Sequence, residues 1–119
     1  MPRNYNQLKV FQMADDLVVR VYQATQHFPR EEQFGLTSQI RRAAVSVPAN
    51  IVEGAARQTE KEFLNFLNIS YGSLAEVGYY IGLSRKLGFL STDIGAELHA
   101  SYEEISRMLN GLMRSLRQK

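Results

Sequence analysis

The chain has 119 residues, of which 45% are hydrophobic and 22% are charged, and its formal net charge at pH 7 is +2. This length suits one globular domain, and the absence of cysteine excludes disulfides and thiolate metal sites. No apolar run approaches the roughly 20 residues of a membrane span, and the first ten residues lack the apolar core of a secretory signal. We therefore expect a cytoplasmic protein without a membrane partner.

The first predicted helix spans about residues 7–27. Its apolar side chains follow the three-and-four spacing of a buried helix face: Phe11, Ala14, Leu17, Val18, Val21, Tyr22, Thr25 and Phe28. Pro29 disfavours helical backbone at the residue before it, so the helix ends there.

The second predicted helix spans about residues 36–56, and Thr37 or Ser38 is placed to cap its first turn. Pro48 removes a backbone hydrogen bond and costs roughly 3 kcal/mol, which predicts a kink or a restart at that point. One side of the helix is a core stripe: Ile40, Ala43, Ala44, Val47 and Ile51. A second side is also mostly apolar and faces away from it: Val45, Ala49, Val52 and Ala56.

The third predicted helix spans about residues 60–87 and opens on a capping box from Thr59 to Glu62. Its core face contains Phe63, Phe66, Leu67, Ser70, Leu74, Val77 and Ile81. A second apolar strip lies on roughly the opposite side: Ile69, Tyr80, Leu83 and Leu87. Gly72, Gly78 and Gly82 each cost up to about 1 kcal/mol relative to alanine, which favours close approach by another backbone.

A helix that is apolar on two sides must be covered on two sides. The second sides of the second and third helices therefore predict an interface between copies of the chain. The alternative is that these side chains are scattered surface apolar residues, which are common.

The fourth predicted helix spans about residues 92–116. Its stripe is the simplest amphipathic pattern in the chain: Ile94, Leu98, Tyr102, Ile105, Leu109, Leu112 and Leu116. Short connections between four long helices predict an all-α, antiparallel up-down-up-down four-helix bundle, formed as one domain by residues 1–119.

Several ordered fragments carry a family resemblance: Phe34-Gly35-Leu36, Gln39-Ile40-Arg41-Arg42-Ala43, Ser46-Val47-Pro48-Ala49-Asn50-Ile51, Glu53-Gly54, Arg57, Glu62-Phe63, Phe66-Leu67, Gly72-Ser73-Leu74 and Glu76. Through them the chain from about Leu8 to Leu90 resembles the 23S ribosomal RNA intervening sequence protein family of small bacterial four-helix-bundle proteins. The resemblance implies a homopentameric ring. A related bundle protein is an accessory factor of diversity-generating retroelements.

The sequence contains no set of reactive groups that would assemble a catalytic site, and we expect no catalytic residue, cofactor or metal. Glu53 is spaced for an ion pair with Arg57, and His99 for a surface pair with Glu103. Glu-x-x-His metal pairs and Gly-rich phosphate loops are absent.

Three functional hypotheses follow. The leading one is a noncatalytic homo-oligomer that binds RNA or DNA through phosphate contacts, with these candidate residues: Arg41, Arg42, Arg57, Lys61, Arg85, Lys86, Arg114, Arg117 and Lys119. The alternative is a protein-interaction adaptor, such as an accessory factor to a polymerase or reverse transcriptase. The cations after residue 105 also have a purely structural interpretation, because they complement the dipole at a helix C-terminus. An enzyme of unrecognised class has the least support.

Overall fold

The computed structural model of the protein describes residues 3–118. Within this range the chain forms four α-helices and no strand, and the helices are Lys9–Thr25 (α1), Leu36–Ala55 (α2), Glu60–Lys86 (α3) and Thr92–Arg117 (α4). Short 3-10 turns at Tyr5–Gln7 and Arg30–Glu32 precede α1 and α2. The predicted all-α four-helix bundle is confirmed.

Each helix packs against two others, since α1 and α3 both contact α2 and α4. Contacts between α2 and α3 pair Ser46 with Ser73 and Gly54 with Phe63. Residue numbers therefore rise along one helix as they fall along the other, so these two helices are antiparallel. The bundle measures 45 × 23 × 20 Å along its principal axes.

The core contains side chains from every helix. The largest fully buried ones are Leu17, Val21, Ile40, Val47, Ile51, Phe63, Leu67, Leu74, Val77, Ile81, Ile105 and Leu109. Tyr22 and Phe66 were wrongly placed among the buried positions, because both lie at the edge of their stripe and retain exposed surface. Each ring instead carries a guanidinium, Arg41 over Tyr22 and Arg57 over Phe66.

The buried side of α4 is rotated slightly from the predicted stripe. Ile94 is exposed, whereas Gly95 and Met113 are buried. At Gly95 the Arg85 side chain of α3 approaches so closely that it would lie 2.9 Å from a built Cβ. The small residue therefore faces α3, and Ile94 turns to solvent.

Helix α2 continues without interruption through Pro48. The helix therefore does not end and begin again at the proline, which was one of the two predicted outcomes. Side chains supply extra donors to carbonyls beside the proline. The Ser70 hydroxyl donates to the Val47 carbonyl at 2.8 Å, and the Asn50 side-chain amide donates to the Ser46 carbonyl at 2.8 Å. These contacts stabilise backbone groups around the site of the missing N–H.

The ends of the helices are capped in two ways. The Thr59 hydroxyl accepts from the Glu62 N–H at 3.1 Å, as the capping box predicts. At α2 the prediction that Thr37 or Ser38 caps the helix is wrong. The helix begins one residue after Gly35, and the Glu32 carboxylate accepts from the Leu36 N–H at 3.1 Å.

Candidate functional site

The outer face of α3, opposite its core face, is rich in exposed apolar surface. Ile69 is 52% exposed, Leu87 51% and Tyr79 65%. Tyr80 and Leu83 are half-buried and also pack against the core. The predicted strip is therefore exposed at its two ends, and Tyr79 adds a large ring between them.

The second side of α2 is exposed to a lesser degree. Val45 is 40% exposed, Ala49 and Ala56 are exposed, and Val52 is half-buried. These side chains are small, so they leave room for another helix to approach α2 closely.

The glycines of α3 have different surroundings. A Cβ built at Gly78 would lie 2.5 Å from the ring of Tyr102, so this glycine makes room for a side chain of α4. A Cβ at Gly72 or Gly82 would meet nothing within 4 Å. Contacts within the described chain therefore explain Gly78 and give no reason for the other two glycines.

A cleft of about 400 Å³ lies between α2 and α3, and its walls include Arg42, Ser46, Ser73, Glu76 and Tyr80. The two serine hydroxyls are 2.8 Å apart, and the Asn50 side-chain amide donates to the Ser46 hydroxyl at 2.9 Å. Arg42 and Glu76 have no hydrogen-bond or ion-pair partner among residues 3–118. The cleft thus presents both signs of charge beside a fixed polar cluster.

The predicted cationic residues form separate groups. Arg57, Lys61, Arg114 and Arg117 lie at the end of the bundle where α2 ends, α3 begins and α4 ends, which we call the basal end. There Arg57 pairs with Glu53 at 3.0 Å, and Arg117 donates to Asn68 at 3.4 Å. Arg3, which was not predicted, joins them with its guanidinium 4.4 Å from the centre of the Phe63 ring.

The remaining cations lie elsewhere. Arg41 is half-buried and holds α2 against α1, because it donates to the Thr25 hydroxyl at 2.8 Å and to the Tyr22 carbonyl at 3.3 Å. Arg85 packs over Gly95, and Lys86 next to it is exposed at the opposite end of α3. Lys119 lies outside the described residues.

The carboxylates and histidines considered for chemistry form simple surface pairs. Arg57 and Glu53 make the predicted i,i+4 contact, and His99 lies 3.5 Å from Glu103 as predicted. Residues 3–118 contain no group of three histidine, aspartate or glutamate side chains that could hold a metal ion. Within the same range, no helix has the length and apolar character needed to cross a bilayer.

Comparison with known proteins identifies the family. The family model described as 23S rRNA-intervening sequence protein matches residues 6–111. The chain belongs to that family. A crystal structure of a protein of unknown function from the S23 ribosomal protein family of Bacteroides thetaiotaomicron VPI-5482 has 24% sequence identity, a TM-score of 0.81, and covers 88% of this chain and 95% of its own. That likeness supports the fold. A search of curated proteins finds no match.

In this member of the 23S rRNA-intervening sequence protein family, several fragments that carry the resemblance meet between α2 and α3. Ser46, Asn50 and Ser73 form the polar cluster, and Gly54 allows Phe63 to pack closely. Sequence reasoning missed the cluster, because its hydrogen bonds depend on the register between two helices. The presence of all three polar residues within the matching fragments was the one available signal.

Proposed function

We propose that this protein is a noncatalytic oligomeric bundle that binds RNA or another nucleic acid through its basic surfaces. The surfaces contact phosphate oxygens and give little sequence selectivity. The copies assemble into a ring, which is a homopentamer by family resemblance.

The exposed apolar surface of α3 is the main support for assembly. Ile69, Tyr79 and Leu87 are each more than half exposed along one helix face. Large apolar side chains exposed on one side of a helix are typical of a protein contact surface, although the charged Glu76 interrupts this one. Gly72 and Gly82 lie on or beside the same face, and a Cβ built at either would meet nothing within 4 Å, as expected for positions that a second copy covers.

The cations of the basal end are the observation that carries the nucleic-acid proposal. The side chains of Lys61 and Arg114 have no hydrogen-bond or ion-pair partner among the described residues, and both residues are exposed. The acids at this end are partly engaged, since Glu53 pairs with Arg57 and Glu62 accepts from the Thr59 hydroxyl at 3.0 Å. Repetition around a ring would sum these charges into a larger positive field.

A noncatalytic role fits the same geometry. The Ser46 and Ser73 hydroxyls bond to each other at 2.8 Å, and no histidine lines the cleft that contains them. A serine nucleophile needs an adjacent general base. We therefore assign these hydroxyls a structural role in joining α2 to α3.

A titration of fluorescently labelled single-stranded RNA at about 50 and about 200 mM salt tests this proposal. Single-strand binding weakens with a logarithmic slope of about 0.7 for each phosphate contact, so four contacts predict a loss of about 50-fold between these concentrations. Binding that is absent at low salt, or that does not weaken as salt rises, contradicts the proposal.

Arg114→Gln and Arg20→Gln form a matched pair, because each removes one positive charge. Arg114 is exposed at the basal end, whereas Arg20 donates to Ser101 at 2.8 Å and lies 3.8 Å from Glu97. We expect Arg114→Gln to weaken binding and reduce the salt slope by about 0.7, and Arg20→Gln to leave the slope unchanged. If the two substitutions weaken binding equally, net charge and not the position of Arg114 determines the affinity.

The cleft between α2 and α3 favours a second candidate function, a protein-interaction adaptor. Arg42 and Glu76 line it with opposite charges and without partners among residues 3–118. A carboxylate repels phosphates, so this cleft suits a polypeptide better than a nucleic acid, and a polymerase or reverse transcriptase is a candidate partner. Retention of a protein partner after nuclease treatment, and its loss in Glu76→Lys, would favour this function.

A further inference from the structure

Phe34 is 88% exposed, more than any other large hydrophobic side chain in residues 3–118. It lies in the turn between α1 and α2, outside the helix faces that form the core. Its ring therefore contributes little to the stability of the described fold. Fold stability does not explain why a phenylalanine is exposed at this position.

The turn that presents Phe34 is well ordered by hydrogen bonds. The Glu32 N–H donates to the Pro29 carbonyl at 2.9 Å, and the Gly35 N–H donates to the Glu32 carbonyl at 3.0 Å. The Glu32 carboxylate accepts from the Leu36 N–H at 3.1 Å. The backbone on both sides of Phe34 is thus fixed, so a ligand would not have to order it.

A surface depression of about 320 Å³ adjoins this ring. Two aromatic rings, two guanidinium groups and three polar side chains line it: Tyr22, Phe34, Arg41, Arg42, Gln33, Thr37 and Ser38. Arg41 is held in place, since its guanidinium carbon is 4.5 Å from the centre of the Tyr22 ring and it donates to the Thr25 hydroxyl at 2.8 Å. Arg42 has no partner among the described residues.

We infer that this depression binds single-stranded nucleic acid, with one base stacked on the Phe34 ring and the neighbouring phosphate on Arg42. This inference rests on the proposed nucleic-acid function and names the form of the ligand and a site for it. Proteins that bind single strands combine cations along the backbone with aromatic rings on which bases stack. Gln33 and Ser38 can hydrogen-bond to the edge of the base.

The side chains that line the depression favour a single strand over a nucleic-acid duplex and over an apolar peptide. Bases in a duplex are already stacked on each other, so a duplex would meet Arg42 and leave the face of Phe34 uncovered. An apolar peptide would leave the Arg42 guanidinium and the polar side chains of Gln33 and Ser38 without partners.

Fluorescence anisotropy with three probes tests the inference: a labelled single-stranded RNA, the DNA of the same sequence, and the corresponding duplex. We expect Phe34→Ala to weaken single-strand binding by about 5-fold to 150-fold, which corresponds to the loss of one base–aromatic stack. Phe34→Tyr should retain affinity, and Phe34→Leu, which is apolar but not aromatic, should lose it. The salt slope should not change in these variants, because stacking involves no counterion release.

Val19→Ala is the matched control, since Val19 is an exposed apolar residue on α1 outside the depression. It should leave binding unchanged. Equal binding of RNA and DNA supports the site for either single strand, and tighter binding of RNA supports RNA as the ligand. Tighter binding of the duplex overturns the inference.

The sequence contains six tyrosines but no tryptophan, so Phe34→Trp introduces the one tryptophan of the chain, whose emission can be excited selectively. Stacking of a base should quench its emission as single strand is added, whereas Val19→Trp should show no quenching. Unquenched Phe34→Trp that still binds the probe overturns the inference.

The failure of this inference is distinguishable from failure of the proposed function. If the wild type binds single strands and Phe34→Ala binds them equally well, the inference is wrong and the proposed function stands. If the wild type binds no nucleic acid, both are wrong. If Phe34→Ala lowers the molar mass in solution and keeps its affinity, Phe34 belongs to a contact between copies and the inference is overturned.

Discussion

Replacement of Gly82 by alanine distinguishes an isolated bundle from an assembly. Gly82 lies in α3 within a surface groove of about 220 Å³ that it shares with Tyr79, Leu83 and Lys86. A Cβ at this position would meet nothing within 4 Å in the chain itself. In an isolated bundle the change should therefore stabilise the helix by about 1 kcal/mol. For a domain of this size that corresponds to a rise of about 4 °C in the melting temperature.

A second copy packed into the groove reverses this expectation. The added methyl group would then meet the partner, and overpacking costs about 1–3 kcal/mol at each contact. We expect Gly82→Ala, and Gly72→Ala on the same helix, to lower the molar mass measured by light scattering at a given concentration. The dissociated subunit of each variant should be as stable as the wild type or more so.

Gly111→Ala is the matched control. Gly111 is an exposed glycine of α4 with nothing within 4 Å of its built Cβ, and it lies outside the proposed interface. It should gain about 1 kcal/mol of helix stability without a change in molar mass. If Gly72→Ala and Gly82→Ala behave in the same way as Gly111→Ala, the reasoning about the outer face of α3 is refuted.

Three further substitutions in α2 and α3 test the packing of the bundle and are read by chemical denaturation. Ser70→Ala removes the extra donor to the Val47 carbonyl at 2.8 Å and should destabilise by about 0.5–1.5 kcal/mol. Ser84→Ala removes a buried hydroxyl that has no partner in the described residues and should stabilise by about 1 kcal/mol; equal effects of the two would contradict this account. Gly54→Ala places a Cβ 2.8 Å from that of Phe66 and should cost about 1–3 kcal/mol, so an unchanged denaturation midpoint would contradict the packing.

Helix positions were predictable from the sequence because each core stripe repeats with the period of the helix. The errors lie at the edges of the stripes. Tyr22 and Phe66 are spaced for burial, yet their rings reach the surface, where Arg41 and Arg57 stack on them. The pattern of apolar positions specifies a direction around the helix and does not specify which neighbouring cation will cover a ring.

Features that depend on tertiary geometry could not be predicted in the same way. The cap on α2 comes from Glu32 in a preceding 3-10 turn, and the turn places its carboxylate at the Leu36 N–H. The polar contact between Ser46 and Ser73 requires the register of α2 against α3. Phe34 lies in a turn, where no periodicity distinguishes an exposed ring from a buried one.

The molar mass of the wild-type protein in solution tests most directly whether the outer face of α3 joins copies of the chain. Light scattering coupled to size exclusion at micromolar concentration should give a multiple of the 13.6 kDa chain mass. The family resemblance predicts the mass of five chains. A particle with the mass of a single chain at that concentration would contradict the account, because Ile69, Tyr79 and Leu87 would then have no partner.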